Sequence, residues 1–132
     1  GRTGSCTPVQ GTDLPLDMIC MDIEYMQDYA DFTVNKERFP DLTKLSADLK
    51  AQGIRLVPII DAGVRVDPND STCTEGLEKG YFCKKADGTP FVAAVWPGKA
   101  YFADFLRPEV REWFGHKYKA LTTAALEASG TI

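Results

Sequence analysis

Three carboxylates stand where chemistry could gather. Asp22 and Glu24 flank Ile23, and Asp61 occupies a matching place further along the chain. Each aspartate follows an apolar run, residues 14–21 in one case and 54–60 in the other. In an extended backbone alternate side chains share a face, so Asp22 and Glu24 are expected to point the same way. Converging carboxylates can relay protons, hold a hard cation or accept hydrogen bonds from sugar hydroxyls. Strand-end acids also cap neighbouring helices or face solvent, and the pattern leaves both readings open.

The other chemical candidates are weaker. Asp67 and the eleven residues after it look superficially like a calcium loop. Such a loop needs an acidic or amide ligand at Ser71, a glycine at Thr72 and a closing glutamate, and only Glu78 is in place. His116 is the sole histidine, lies beside Lys117 on an expected helix and lacks a GxSxG elbow to serve, so a solvated surface role is expected. Trp96, before Pro97 and Gly98, could stack on a sugar ring, although its residue type by itself leans toward a core anchor. Asn69, Asp70 and Ser71 match a glycosylation tripeptide, a pattern common by chance.

These residues need elements to position them. Residues 14–21 and 54–60 read as strands buried on both faces, as in parallel sheets. Between them Asp41 is a helix N-cap, Leu42, Leu45 and Leu49 follow at helical spacing, and Gly53 stands just past the end. That makes a βαβ unit, and in parallel α/β folds ligands bind where the strands end, at Asp22 and Asp61. From residue 62 to 104 the pattern loosens into a long loop, with a hairpin expected about Asp87 and Gly88. Pro108 then opens a helix whose apolar stripe is Val110, Trp113, Phe114, Tyr118 and Leu121.

Bulk properties exclude several classes. With 132 residues the chain has room for one domain with its own core. A net charge of −4, with basic residues scattered apart from Lys84 and Lys85, argues against nucleic acid. No apolar run nears the roughly 20 residues that span a bilayer, and the first residues lack the apolar stretch of a signal peptide, so no membrane partner is expected. The four cysteines form no CxxC pair and read as reduced thiols of a cytoplasmic protein, with Cys20 a small hydrophobe inside its strand. Neither a metal nor a cofactor is expected.

Six blocks in order resemble glycoside hydrolase family 31. They are LDMICMDIEYM at 16–26, DFTVNKERFP at 31–40, IIDAG at 59–63, AVWPG at 94–98, FADF at 102–105 and REWFG at 111–115. The wording is similar to that of bacterial cytosolic α-glucosidases. The resemblance implies an α/β fold, a partial (β/α)8 TIM barrel with a long inserted loop or hairpin over residues 14–122. A whole barrel takes about 250 residues. An open piece of barrel is expected to expose strand edges and an apolar face.

The resemblance also implies roles. Asp22 would bind the far hydroxyls of the sugar in the −1 subsite, Ile23 and Val64 would line that pocket, and Trp96 would pack on the ring. Asp61 would stand behind them. Glu24 and Ala62 depart from the family's usual Asp and Pro. The family hydrolyses with retention, using two aspartates about 5–5.5 Å apart. The sequence contains neither the W-x-D-M-N-E block of the nucleophile nor the acid/base block, so no catalytic residue is assigned and the chain alone is expected to be inactive. The implied substrate is an α-glucoside oligosaccharide, with an α-xylosidase as the alternative within the family. A non-catalytic sugar-binding fragment and a metal-dependent hydrolase built on Asp22, Glu24 and Asp61 are the rival readings.

Residues 1–13 and 123–132 depart from the family pattern. Codons for residues 128–132, chosen from the degenerate sets and shifted by one base, can encode Gly-Phe-Trp-Asn-Asp, which the family places there. A reading-frame slip after about Thr122, and another in the first residues, is the expectation drawn from this.

Overall fold

The computed structural model describes residues 15–119 and 121. Strand β1 (Met18–Met21) leads into a one-turn 3-10 helix (Ile23–Tyr25), and helix α1 (Leu42–Ala51) and strand β2 (Arg55–Pro58) follow. β1 and β2 pair in parallel, from Met18 opposite Arg55 to Met21 opposite Pro58, with α1 as the connection. The helix starts where its cap dictates: the Asp41 carboxylate accepts the Lys44 N–H at 2.8 Å. It ends at Gln52, and Gly53 takes the left-handed conformation (φ +78°) that a side chain resists. Leu42 and Leu49 are buried with Met21, Tyr25, Met26, Leu56 and Leu121 in one core, which draws the helix onto the strands.

One expectation for this half is corrected. The strands are not covered on both faces: Met18 is 56% exposed, Val57 39%, and Cys20 is exposed too. Among the described residues β1 and β2 have only each other as neighbours, so half of each pleat has nothing to pack against. The arrangement is a parallel βαβ unit, and the described residues form no closed barrel.

The stretch expected to be a long loop is a second structured half. Strands β3 (Gly63–Arg65), β4 (Val92–Val95) and β5 (Gly98–Phe102) form an antiparallel sheet in the order β3-β5-β4. The expected turn at Asp87 and Gly88 is present, with Gly88 at φ +84° and Asp87 accepting the Thr89 N–H. The longer hairpin is β4–β5, which turns at Trp96 and Pro97 with Val95 opposite Gly98. The stretch that mimics a calcium loop instead builds helix α2 (Ser71–Glu78), which Asp70 caps by accepting the Thr72 N–H at 3.0 Å. Helix α3 (Pro108–Lys117) opens at Pro108 as read. Its Val110, Trp113 and Phe114 pack with Val64, Cys73, Phe82 and Ala103 into a second core. Phe32 and Ile60 touch both cores and join the halves. Cys20, Cys73 and Cys83 carry free thiols, and Cys6 lies outside the described residues. Among the described residues no helix is long and apolar enough to cross a membrane.

Candidate functional site

The ends of β1 and β2 adjoin. The Met21 carbonyl, just before Asp22, accepts the Ile59 N–H at 3.0 Å, two residues before Asp61. Asp22 and Asp61 therefore leave the parallel pair at the same end, as the sequence suggests. Asp22 is exposed, and its Oδ1 accepts the Ile23 N–H at 2.8 Å, capping the 3-10 turn. That turn corrects the pairing of Asp22 with Glu24. The chain leaves extended geometry at Ile23, and with three residues per turn a side chain two positions on points elsewhere. Ile23 is half-buried and Glu24 is exposed.

Asp61 is half-buried, and its Oδ1 accepts the Ala62 N–H at 2.7 Å. The chain then enters β3 through Gly63, where a Cβ would stand 2.8 Å from Val95 Cγ2 and 3.3 Å from Ala100 Cβ. Only a bare backbone lets β3 sit so close to the β4–β5 hairpin. Gly63 thus ties the Asp61 turn to the hairpin whose tip bears Trp96. Trp96 is 72% exposed, so the lean toward a core anchor is corrected, and its indole is available to stack on a ligand. Val64 is 1% exposed and belongs to the second core, beside Cys73 and Phe82.

Two residues without a role in the sequence reading hold this end of the fold. Tyr25, 1% exposed, donates its hydroxyl to the Ile59 carbonyl at 2.7 Å. Asp31, 2% exposed, accepts the Asp61 N–H on Oδ1 at 3.0 Å, while its buried Oδ2 has no partner. Burial, with Asp61 and Asp70 nearby, pushes the Asp31 carboxyl up to about 7, although the Asp61 N–H pulls the other way. Burial raises the Tyr25 hydroxyl as well. The signal for Asp31 was a lone acid between Ala30 and Phe32, which looks no different from a surface acid in a loop.

Two clefts lie elsewhere. One of about 430 Å³ between α2 and α3 includes Glu75, Trp113, His116 and Lys117. There Glu75 pairs with Lys79 and Lys117, which hold its carboxyl down at about 2, and His116 is exposed as read. Another of about 290 Å³ is lined by Asp28, Asp67 and Asp70 with Arg65 among them. Among the described residues no group of three or more His, Cys, Asp or Glu is arranged to hold a metal ion.

Comparisons with known proteins converge. The sequence profile described as the glycosyl hydrolases family 31 TIM-barrel domain matches residues 7–130. "Alpha-glucosidase 2" of Bacillus thermoamyloliquefaciens is 47% identical over 115 residues, covering 87% of this chain and 15% of that protein. "Neutral alpha-glucosidase C" of Mus musculus is 35% identical over 102 residues, 77% of this chain and 11% of that protein. Similarity is therefore not confined to bacterial proteins. A crystal structure of a family 31 α-glucosidase from Bacteroides thetaiotaomicron superposes with a TM-score of 0.74 at 38% identity, over 83% of this chain and 19% of that one. The chain spans less than a fifth of the length of each of these proteins.

Proposed function

The chain belongs to glycosyl hydrolase family 31, and we propose on that premise that it is a portion of a retaining α-glucosidase that contributes to the −1 sugar subsite. The observation that carries the reading is the 47% identity with a protein named "Alpha-glucosidase 2", over a stretch that includes both strand ends. Asp22, exposed beyond β1, accepts hydrogen bonds from sugar hydroxyls. A charged acceptor to a neutral hydroxyl makes a stronger hydrogen bond than a neutral pair. Ile23 gives the pocket an apolar wall beside it. Trp96 offers the face of its indole to the apolar side of the sugar ring. Asp61 sits behind, orienting the turn that leads through Gly63 to the Trp96 hairpin. Val64 supports that turn from the core.

In the retaining reaction one carboxylate attacks the anomeric carbon while a carboxylic acid protonates the leaving oxygen, and water later completes hydrolysis. No residue of this chain is assigned either part. The subsite residues bind and orient the glucosyl unit, and the residues that break the bond are not among these 132. Removing such a pair costs many orders of magnitude in rate. Purified 132-residue protein is therefore expected to leave p-nitrophenyl α-glucoside uncleaved. Turnover that disappears in an Asp22→Ala variant would show that the chemistry resides here and refute the assignment.

A further inference from the structure

We infer that Asp31 is a positioning residue for the proposed sugar subsite: its buried carboxyl fastens the loop after β1 to the backbone turn of Asp61 and so sets the spacing of the two strand ends. The inference rests on the subsite reading above and adds to it the group that holds the subsite's shape.

Residues 25–35 form a closed loop. The Asn35 N–H donates to the Tyr25 carbonyl at 2.7 Å, joining the loop's two ends. Three ties bind it to the segment that follows β2. Tyr25 donates to the Ile59 carbonyl, Asp31 accepts from the Asp61 N–H, and Arg65 donates through Nη1 to the Asp28 carbonyl at 3.1 Å. Asp28, Tyr29 and Phe32 take positive φ angles of 49°, 60° and 64°. For residues other than glycine this is sparsely populated backbone, held only where the surroundings over-determine it. Phe32 shows how: its ring meets Phe114 at 5.1 Å and Tyr118 at 5.3 Å between centroids. The loop is therefore fixed at considerable cost, and the one carboxylate it buries is spent on the Asp61 backbone.

The surroundings of Asp31 favour a proton on it. The titratable groups facing it are Asp61 after β2, Asp70 at the start of α2, Tyr25 in the 3-10 turn and Tyr118 at the end of α3. Two are acids and two are phenols. The nearby cation Arg65 pairs with Asp28 and Asp67 instead. As a neutral acid, Asp31 still accepts the Asp61 N–H on its carbonyl oxygen. As a carboxylate it carries an uncompensated charge beneath the strand ends. Asparagine mimics the protonated form, keeping the acceptor and the shape, whereas alanine removes the acceptor.

The test uses 15N-labelled full chain with Asp31→Asn and Asp31→Ala variants. The Asp61 amide resonance is followed against pH, and glucose binding is measured by calorimetry with Asp22→Ala as the control for the subsite. In the wild type the Asp61 amide should titrate well above the ordinary carboxylate range. Asp31→Asn should abolish that titration while leaving sugar affinity within about twofold and making it independent of pH. Asp31→Ala, leaving the amide unpaired, should weaken sugar binding roughly tenfold or more. An Asp61 amide that ignores pH, or an alanine variant that binds sugar like the wild type, overturns the inference. If Asp22→Ala binds as well as the wild type, the subsite reading fails instead, and the Asp61 titration still decides whether Asp31 fastens that turn.

Discussion

The two halves of the molecule build their sheets by different routes. The antiparallel half buries a tight centre, while Val92 at 37%, Phe91 at 42% and Leu106 at 91% stay open at its surface. Val64, Ala100 and Val110 are 1%, 0% and 0% exposed, and Phe82 stacks on Tyr101 while meeting Trp113 edge to face. The parallel half leaves Met18, Val57 and Ile59 with 39% or more of their surface open. Hairpins pair strands that are close in sequence, so β3, β4 and β5 find partners within about forty residues. Parallel strands need a crossover for every neighbour, and the described residues supply one. The candidate site draws its rigidity from both halves. The strand-end acids belong to the parallel half, where the Asp31 tie holds the Asp61 turn, and Gly63 carries that turn onto the hairpin that bears Trp96.

The largest effect is expected in the antiparallel half. Phe82→Ala, in the middle of the second core, should cost about 3–5 kcal/mol by denaturant unfolding. Amide protection in β5 should collapse, and a loss confined to α1 would contradict the division. The next effect is one of pH. Asp31 has a raised folded pKa of about 7 against an ordinary 3.8. Its contribution to stability is therefore full below the unfolded value and is lost as pH rises through 7, by at most about 4 kcal/mol. Thermal melts should fall between about pH 4 and 7 in the wild type, and the Asp31→Asn variant should flatten that fall. A smaller change tests the packing of α2 on the second core. A Cβ on Gly76 would lie 2.4 Å from the Phe82 ring, so Gly76→Ala should destabilise by about 1–3 kcal/mol despite better helix propensity. Smallest, Asp41→Ala removes the α1 cap and should cost about 1 kcal/mol. Hydrogen exchange should show that loss in α1 and leave α3 untouched.

How much of this was legible in the sequence follows the same division by range. Helix α1 could be read nearly to the residue, because its cap, its leucine spacing and its terminal glycine are all local signals. The placement of Asp22 and Asp61 at one end of a parallel pair was also legible, since two apolar runs and an intervening helix leave few topologies. The 3-10 turn after Asp22 was not, because Ile23, Glu24 and Tyr25 carry no turn residue and would pass for extended chain. The exposure of Trp96 was hidden for another reason. Residue type speaks for burial, and only the register of β4 against β5 sets the indole at the hairpin tip. Asp31 was illegible because a buried acid and a loop acid share one letter. What distinguishes it is a backbone N–H thirty residues away.

The proposed sugar subsite takes in both strand ends and the hairpin tip. Its most direct test is a proton–nitrogen NMR titration of the chain with maltose, which follows both tryptophan indoles and the Asp22 amide. Shifts at the exposed Trp96 indole and at Asp22, with the buried Trp113 indole unmoved, are the predicted result. A spectrum that stays still at Asp22 and Trp96 up to saturating sugar would contradict the account.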